Sequence, residues 1–181
     1  MKSLGKKGFT LIELLAVITI MGILMLVAIP AVSRTIENSR RDTFADLGKT
    51  YINSIRNAVI ADELKCGDSN ISVGATTEGT YYFTIDTSDS TGQTNDLMEK
   101  TGKSPWGSNN VKGYVKWKKD ASNGNEGFKT EYYIYLIDTV NHGLTETKED
   151  SITRTSVKTK AGVDSIATAP TDTGATECTL K

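Results

Sequence analysis

GFTLIELLAVITIMGILMLVAIPAVS, running from Gly8 to Ser33, is an apolar stretch that carries one carboxylate near its start. That carboxylate is Glu13, and no other side chain between Phe9 and Ser33 is charged. The part that follows it, Leu14 to Val32, approaches the roughly 20 residues that cross a hydrocarbon core as helix. A helix apolar on every side is not the surface helix of a soluble domain, so the chain enters a membrane.

Upstream, Met1 to Gly8 is short and basic, with Lys2, Lys6 and Lys7 all before Phe9. An ordinary secretory signal has its small-residue cleavage site after the apolar run. Here small Gly8 precedes that run, so a cut there leaves the apolar segment on the product. Downstream, composition changes at once. Arg34, Glu37, Arg40, Arg41, Asp42 and Asp46 interleave with Ile36, Phe44, Leu47, Tyr51, Ile55 and Val59, which mostly recur every three or four residues. That is the stripe of an amphipathic helix facing a core. The expected helix runs on to about Leu64, with Gly67 as its terminator and Gly48 tolerated inside it.

KKGFTLIELL, Lys6 to Leu15, resembles the prepilin signal of the type IV filament family, the type IV pilins and related pseudopilins. The resemblance covers roughly the first 60 residues and implies several roles. A prepilin peptidase cuts between Gly8 and Phe9, and the new amino terminus of Phe9 is N-methylated. Glu13, awkward in lipid, meets the Phe9 amine of a neighbouring subunit and sets assembly register. Gly22 and Pro30 stand where type IV pilins place a helix-loosening Gly and Pro. Pro30 removes the hydrogen bond to Leu26 and crowds that turn, so Gly22 to Pro30 is expected to bend in the subunit and to lose helicity in a filament.

After the membrane segment, about 120 residues remain, enough for one small domain. TYYFTID, Thr80 to Asp86, reads as a strand; Asp96 to Gly102 as a short helix; SPWG, Ser104 to Gly107, as a turn with Trp106 as an apolar anchor. VKGYVKWKK, Val111 to Lys119, alternates, with Val115 and Trp117 on one face and Tyr114, Lys116 and Lys118 on the other. DASNGNEG, Asp120 to Gly127, is a hairpin turn by composition. FKTEYYIYLID, Phe128 to Asp138, has apolar residues on both faces, as a central strand does. Asn141-His142-Gly143 turns the chain. Ile152 to Lys158 reads as a weak fourth strand, and the Thr- and Ala-rich remainder as irregular. The expected architecture is α+β, a long N-terminal helix packed against an antiparallel sheet of about four strands. Its parts are a leader at 1–8 that is removed, a membrane and filament-core helix at 9–33, its amphipathic continuation at 34–64, and a globular domain at 65–181.

Cys66 and Cys178 lie too far apart for a metal knuckle or redox pair, leaving a structural disulfide or two free thiols. Export into a thiol-poor environment favours the disulfide. A formal net charge of −1 over 181 residues gives no global sign of a nucleic-acid binder. The lysine face around Lys116 reads first as a solvated or protected strand face, so a DNA partner is possible but unsupported. Asp120, Asn125 and Glu126 offer oxygens to calcium without the EF-hand spacing. His142, the only histidine, reads as surface. Asn70-Ile71-Ser72 fits the N-glycosylation pattern, which short chance matches also satisfy. No hydrolase, phosphate-loop or dinucleotide motif is present, so neither catalysis, cofactor nor metal is expected.

The function expected from the resemblance is a structural subunit of a type IV pilus, single-pass in the membrane and then in an extracellular surface filament. Its partners are further copies of itself, the prepilin peptidase, the assembly platform and membrane lipid before assembly. A type II secretion or competence pseudopilin is the alternative, and a non-polymerising membrane-anchored binding domain the second.

Overall fold

A computed structural model of the chain describes residues 8–67, 71–72, 78–88, 103–120, 129–162 and 165–181. It forms two compact units, Met1–Ser39 and Arg40–Lys181. One helix, α1, runs from Leu11 to Ile60, and its most apolar stretch has a mean hydropathy of 2.7, long and apolar enough to cross a membrane.

The described part of the first unit is helical from Leu11 onward. Side-chain hydroxyls within it turn back onto backbone carbonyls one turn earlier, Thr19 onto Leu15 and Ala16, Ser33 onto Ile29 and Thr35 onto Ala31. Such bonds satisfy polar groups that lipid could not. The helix continues through Gly22 and Pro30 without a break.

In the second unit, α1 buries Phe44, Ala45, Gly48, Tyr51, Ile52, Ile55 and Ala58. The spacing is that of the stripe read from the sequence, with small Ala45, Gly48 and Ala58 letting backbone and sheet approach closely. The helix stops at Ile60, four residues before the expected Leu64. The N–H of Glu63 donates to the Ala58 carbonyl and that of Asp62 to the Val59 carbonyl, with Asp62 at φ 56°. These two bonds are a Schellman cap with Asp where Gly is usual. Gly67, the expected terminator, instead follows a strand.

Among the described residues, seven strands form one sheet: β1 Leu64–Cys66, β2 Ile71–Ser72, β3 Gly79–Asp86, β4 Val111–Asp120, β5 Lys129–Asp138, β6 Gly143–Lys148 and β7 Thr176–Leu180. Their order is β2-β1-β7-β3-β4-β5-β6. Every pair is antiparallel except β3 with β7. The α+β class and the long helix are as expected, while the sheet is wider than about four strands and is mixed. The reason is β7: the chain's last strand inserts between β1 and β3, so it runs against one and along the other. The disulfide Cys66–Cys178 joins directly opposed residues of β1 and β7, with Cα atoms 4.1 Å apart.

β3, β4 and β5 coincide with the three strongest strand readings, and β5 is internal. Val111, Val115, Trp117, Tyr132, Ile134 and Leu136 enter the main core with the α1 stripe, whereas Tyr114, Tyr135 and Ile137 face the other side. Ile152 to Lys158 is not a strand but a run of turns joined to β6 by a single bridge from Lys158 to Gly143. The 3-10 turn Glu149–Ser151 precedes it. The expected helix at Asp96 to Gly102 and nearly all of the hairpin at Asp120 to Gly127 lie outside the described residues, as does Asn70.

Candidate processing and assembly site

The start of α1 is set by a reciprocal cap. Thr10 donates its N–H to Glu13 Oε2 at 2.8 Å and its hydroxyl to the same oxygen at 2.8 Å, and the Glu13 N–H donates to Thr10 Oγ1 at 3.3 Å. This is a capping box, in which a hydroxyl and a carboxylate satisfy helix N–H groups that have no partner within the helix. The signal for it was in the sequence, as Thr10-Leu11-Ile12-Glu13, but Glu13 read on its own as a lipid-embedded acid hides it. Both Thr10 bonds fall on Oε2, and among the described residues nothing donates to Oε1.

Gly8 and Phe9 therefore stand outside the helix, exposed and extended in sequence from the cap. Nothing lies within 4 Å of a Cβ built on Gly8. A peptide bond so placed is reachable by a protease, which a bond inside a helix is not. Phe9 is 89% exposed, and the large apolar side chains from Leu11 to Val32 are all exposed. A soluble protein does not keep an apolar patch of that extent in water. Lipid or other chains must cover it.

Several charged and polar groups of the sheet are engaged within the chain. Lys116, whose side chain is 4% exposed, holds Asp172 at 2.7 Å and pairs with Glu146, while Tyr114 donates its hydroxyl to Glu146 at 2.6 Å. Burial works against the Lys116 ammonium, but the two carboxylates outweigh it and raise its pKa. Burial, and then Glu146, push the Tyr114 phenol up. Lys112 pairs with Asp86 at 2.9 Å. Lys112 and Lys116, two of the four lysines of β4, thus have carboxylate partners in their own sheet.

The SPWG turn is an anchor. Ser104 donates to Asp138 Oδ2 at 2.5 Å, and Asp138, fully buried at the end of β5, also accepts the N–H groups of Val140 and His142 at 2.9 and 2.8 Å. Trp106 packs between Phe44 of α1, with ring centres 5.7 Å apart, and His142, stacked at 4.4 Å. His142, expected at the surface, is a packing partner; its neighbour Trp106, thirty-six positions away, could not be inferred from the turn motif. Among the described residues no group of three His, Cys, Asp or Glu side chains could hold a metal ion.

Comparison with curated proteins and comparison with solved structures each find no match. Residues 4–29 match the family described as the prokaryotic N-terminal methylation motif. That span takes in Lys6, Lys7, Gly8, Phe9, Thr10 and Glu13, so this chain carries the type IV prepilin signature, on a long apolar helix joined to a pilin-like α+β fold.

Proposed function

We propose that the chain is a structural subunit of a type IV pilus. It is cut between Gly8 and Phe9 by a prepilin peptidase, N-methylated on Phe9, stored in the membrane through α1 and then polymerised into a surface filament. The observation that carries this reading is the methylation motif placed directly on a helix whose large apolar side chains are bare from Leu11 to Val32. In lipid that surface is an anchor, and in a bundle of copies it is a filament core. Repetition of one contact along the filament then supplies the affinity.

Glu13 is the assembly group in this reading. Thr10 holds Oε2, and Oε1 is left for the Phe9 ammonium of the next subunit, a cation below a pKa of about 8. Replacing Glu13 with Val should leave insertion and cleavage intact and abolish filament yield. Normal yield from that variant would instead favour the non-polymerising anchored domain. N-terminal sequencing and mass measurement of sheared surface material test the whole reading: the expected product begins at methylated Phe9. A pseudopilin would be processed identically but absent from long external fibres, which antibody-labelled electron microscopy reads directly.

A further inference from the structure

We propose that Lys116 and Asp172 condense into an amide, a covalent cross-link between the centre of β4 and the segment that leads into β7, with Glu146 of β6 moving the proton. Glu146 and Asp172 lie 30 and 56 positions from Lys116 in the sequence, so only the fold brings the three together. Lys116 Nζ is 2.7 Å from Asp172 Oδ2 and also bonds Glu146 Oε1, while Tyr114 donates its hydroxyl to Glu146 Oε2 at 2.6 Å. The same ammonium stands over the ring of Tyr133, 4.9 Å from its centre.

Burial sets this lysine apart. Its side chain is 4% exposed, whereas in the other lysine–carboxylate pairs described, those of Lys112, Lys129, Lys148 and Lys181, the lysine is 33% exposed or more. An ammonium held out of water has given up its hydration, and a neutral amide removes that cost. Asp172 is also positioned from both directions along the chain. Before it, Ile166 and Ala167 pack with Tyr114, Tyr135 and Ile137, and Thr84 donates its hydroxyl to the Thr168 carbonyl at 3.1 Å. After it, β7 lies between β1 and β3, with Cys178 bonded to Cys66. Two groups held in contact in this way react at an effective concentration far above that of the free groups in water.

The reaction begins from the ion pair. Glu146, as general base, takes a proton from the Lys116 ammonium and passes it to the Asp172 carboxylate. The neutral amine attacks Asp172 Cγ through its lone pair. The N–C bond forms, the nitrogen gives up a second proton, and the C–O bond breaks with both protons leaving on that oxygen as water. Ammonium plus carboxylate thus becomes amide plus water, with no change in net charge and no co-reactant. The Asp172 side chain is 41% exposed, so the water has a way out. In the product the amide N–H donates to Glu146 Oε1 and Tyr114 still holds Oε2, so Glu146 keeps both partners.

The test is intact-mass analysis of the full chain purified in detergent, followed by proteolysis and fragmentation of the peptides that contain Lys116 and Asp172. The expected mass is that of the disulfide-bonded sequence less one water molecule, with the loss localised to a branched peptide that joins the two residues. Lys116→Met and Asp172→Ala each stay at full mass. Glu146→Gln still hydrogen-bonds but cannot take the proton, and stays at full mass under conditions in which the wild-type chain has linked. A wild-type chain at full mass, water lost at another position such as a cyclised aspartate, or linkage in Glu146→Gln at the wild-type rate would overturn the proposal. The wild-type mass and its localisation decide the matter even where a variant folds poorly, and neither depends on whether the chain is cleaved, methylated or polymerised.

Discussion

Replacing Gly48 with Ala sets two effects of similar size against each other. In the middle of a helix, Ala is favoured over Gly by about 1 kcal/mol, so the sequence alone predicts a stabilised protein. The packing predicts otherwise. A Cβ at Gly48 would lie 2.8 Å from Leu144 Cδ1, 3.6 Å from Ile134 Cδ1 and 3.9 Å from Ile134 Cγ2. Leu144 and Ile134 are both fully buried, so the leucine methyl has no open space to move into. Overpacking of this kind costs about 1 to 3 kcal/mol. The net expectation is destabilisation of up to about 2 kcal/mol, or roughly 3 °C in Tm for each kcal/mol in a unit of this size. Thermal unfolding of the full chain in detergent, followed through the fluorescence of Trp106 and Trp117, measures it. The decisive comparison is a double-mutant cycle with Leu144→Ala, which alone should cost about 2 to 5 kcal/mol. With the leucine methyls gone, Gly48→Ala should reverse sign and stabilise by about 1 kcal/mol as helix propensity alone dictates. If Gly48→Ala stabilises equally in both backgrounds, the close approach of α1 to β6 is not as described.

Other perturbations give separate readings. Hydrogen bonds from Lys148, Lys129 and Tyr133 lower the Glu131 pKa from 4.5 to about 2. Because the folded value is the lower one, that stabilisation is complete above 4.5 and is lost as pH falls toward 2; acid titration of unfolding should show the loss, and Lys148→Met should diminish it. Gly113→Ala would place a Cβ 1.9 Å from the Tyr135 carbonyl oxygen in the adjacent strand; because backbone cannot yield as a side-chain end does, a loss on the order of 3 kcal/mol or more is expected in denaturant unfolding. Removing the disulfide with Cys66→Ala/Cys178→Ala frees a loop of sequence separation 112 and should cost about 4 to 5 kcal/mol in the chain-entropy model. Hydrogen exchange should then rise first in β1 and β7.

What the sequence disclosed were the elements whose signals are local and long. The apolar run, the helix stripe from Phe44 to Val59 and the alternation in β3, β4 and β5 each repeat one period often enough to be read without neighbours. β5 even revealed its central position, through apolar residues on both faces. Strands β1 and β7 were hidden because LKC and TECTL are short and take their meaning from each other and from β3. Their pairing crosses more than a hundred residues. β6 was missed because GLTETK reads as polar, its place being fixed by the Leu144 contact with α1 and by room for Gly143 against the Leu136 carbonyl. The helix end was misplaced for a related reason. Gly67 looked like the terminator, but the αL position fell on Asp62, which bonds Lys181 Nζ at 2.7 Å once the C-terminus has returned. A signal completed by a distant residue is not readable locally.

The amino-terminal site shows the opposite case, a local signal obscured by a stronger one. Thr10 and Glu13 are three positions apart and form a capping box that needs nothing outside the first turn. The cap also bears on why an acid can occupy an apolar helix at all. A carboxylate that accepts two donors from its own Thr10 brings part of its solvation with it, so its second oxygen can wait for a partner without leaving the whole group unsatisfied. In the pilus reading, cleavage adds that partner: it converts the Phe9 amide, one residue outside the cap, into an ammonium while leaving the Thr10 N–H and hydroxyl where they were. Processing then changes the charge beside the cap without dismantling the helix start. The apolar surface and Glu13 are ready before the cut, and the complementary cation exists only after it.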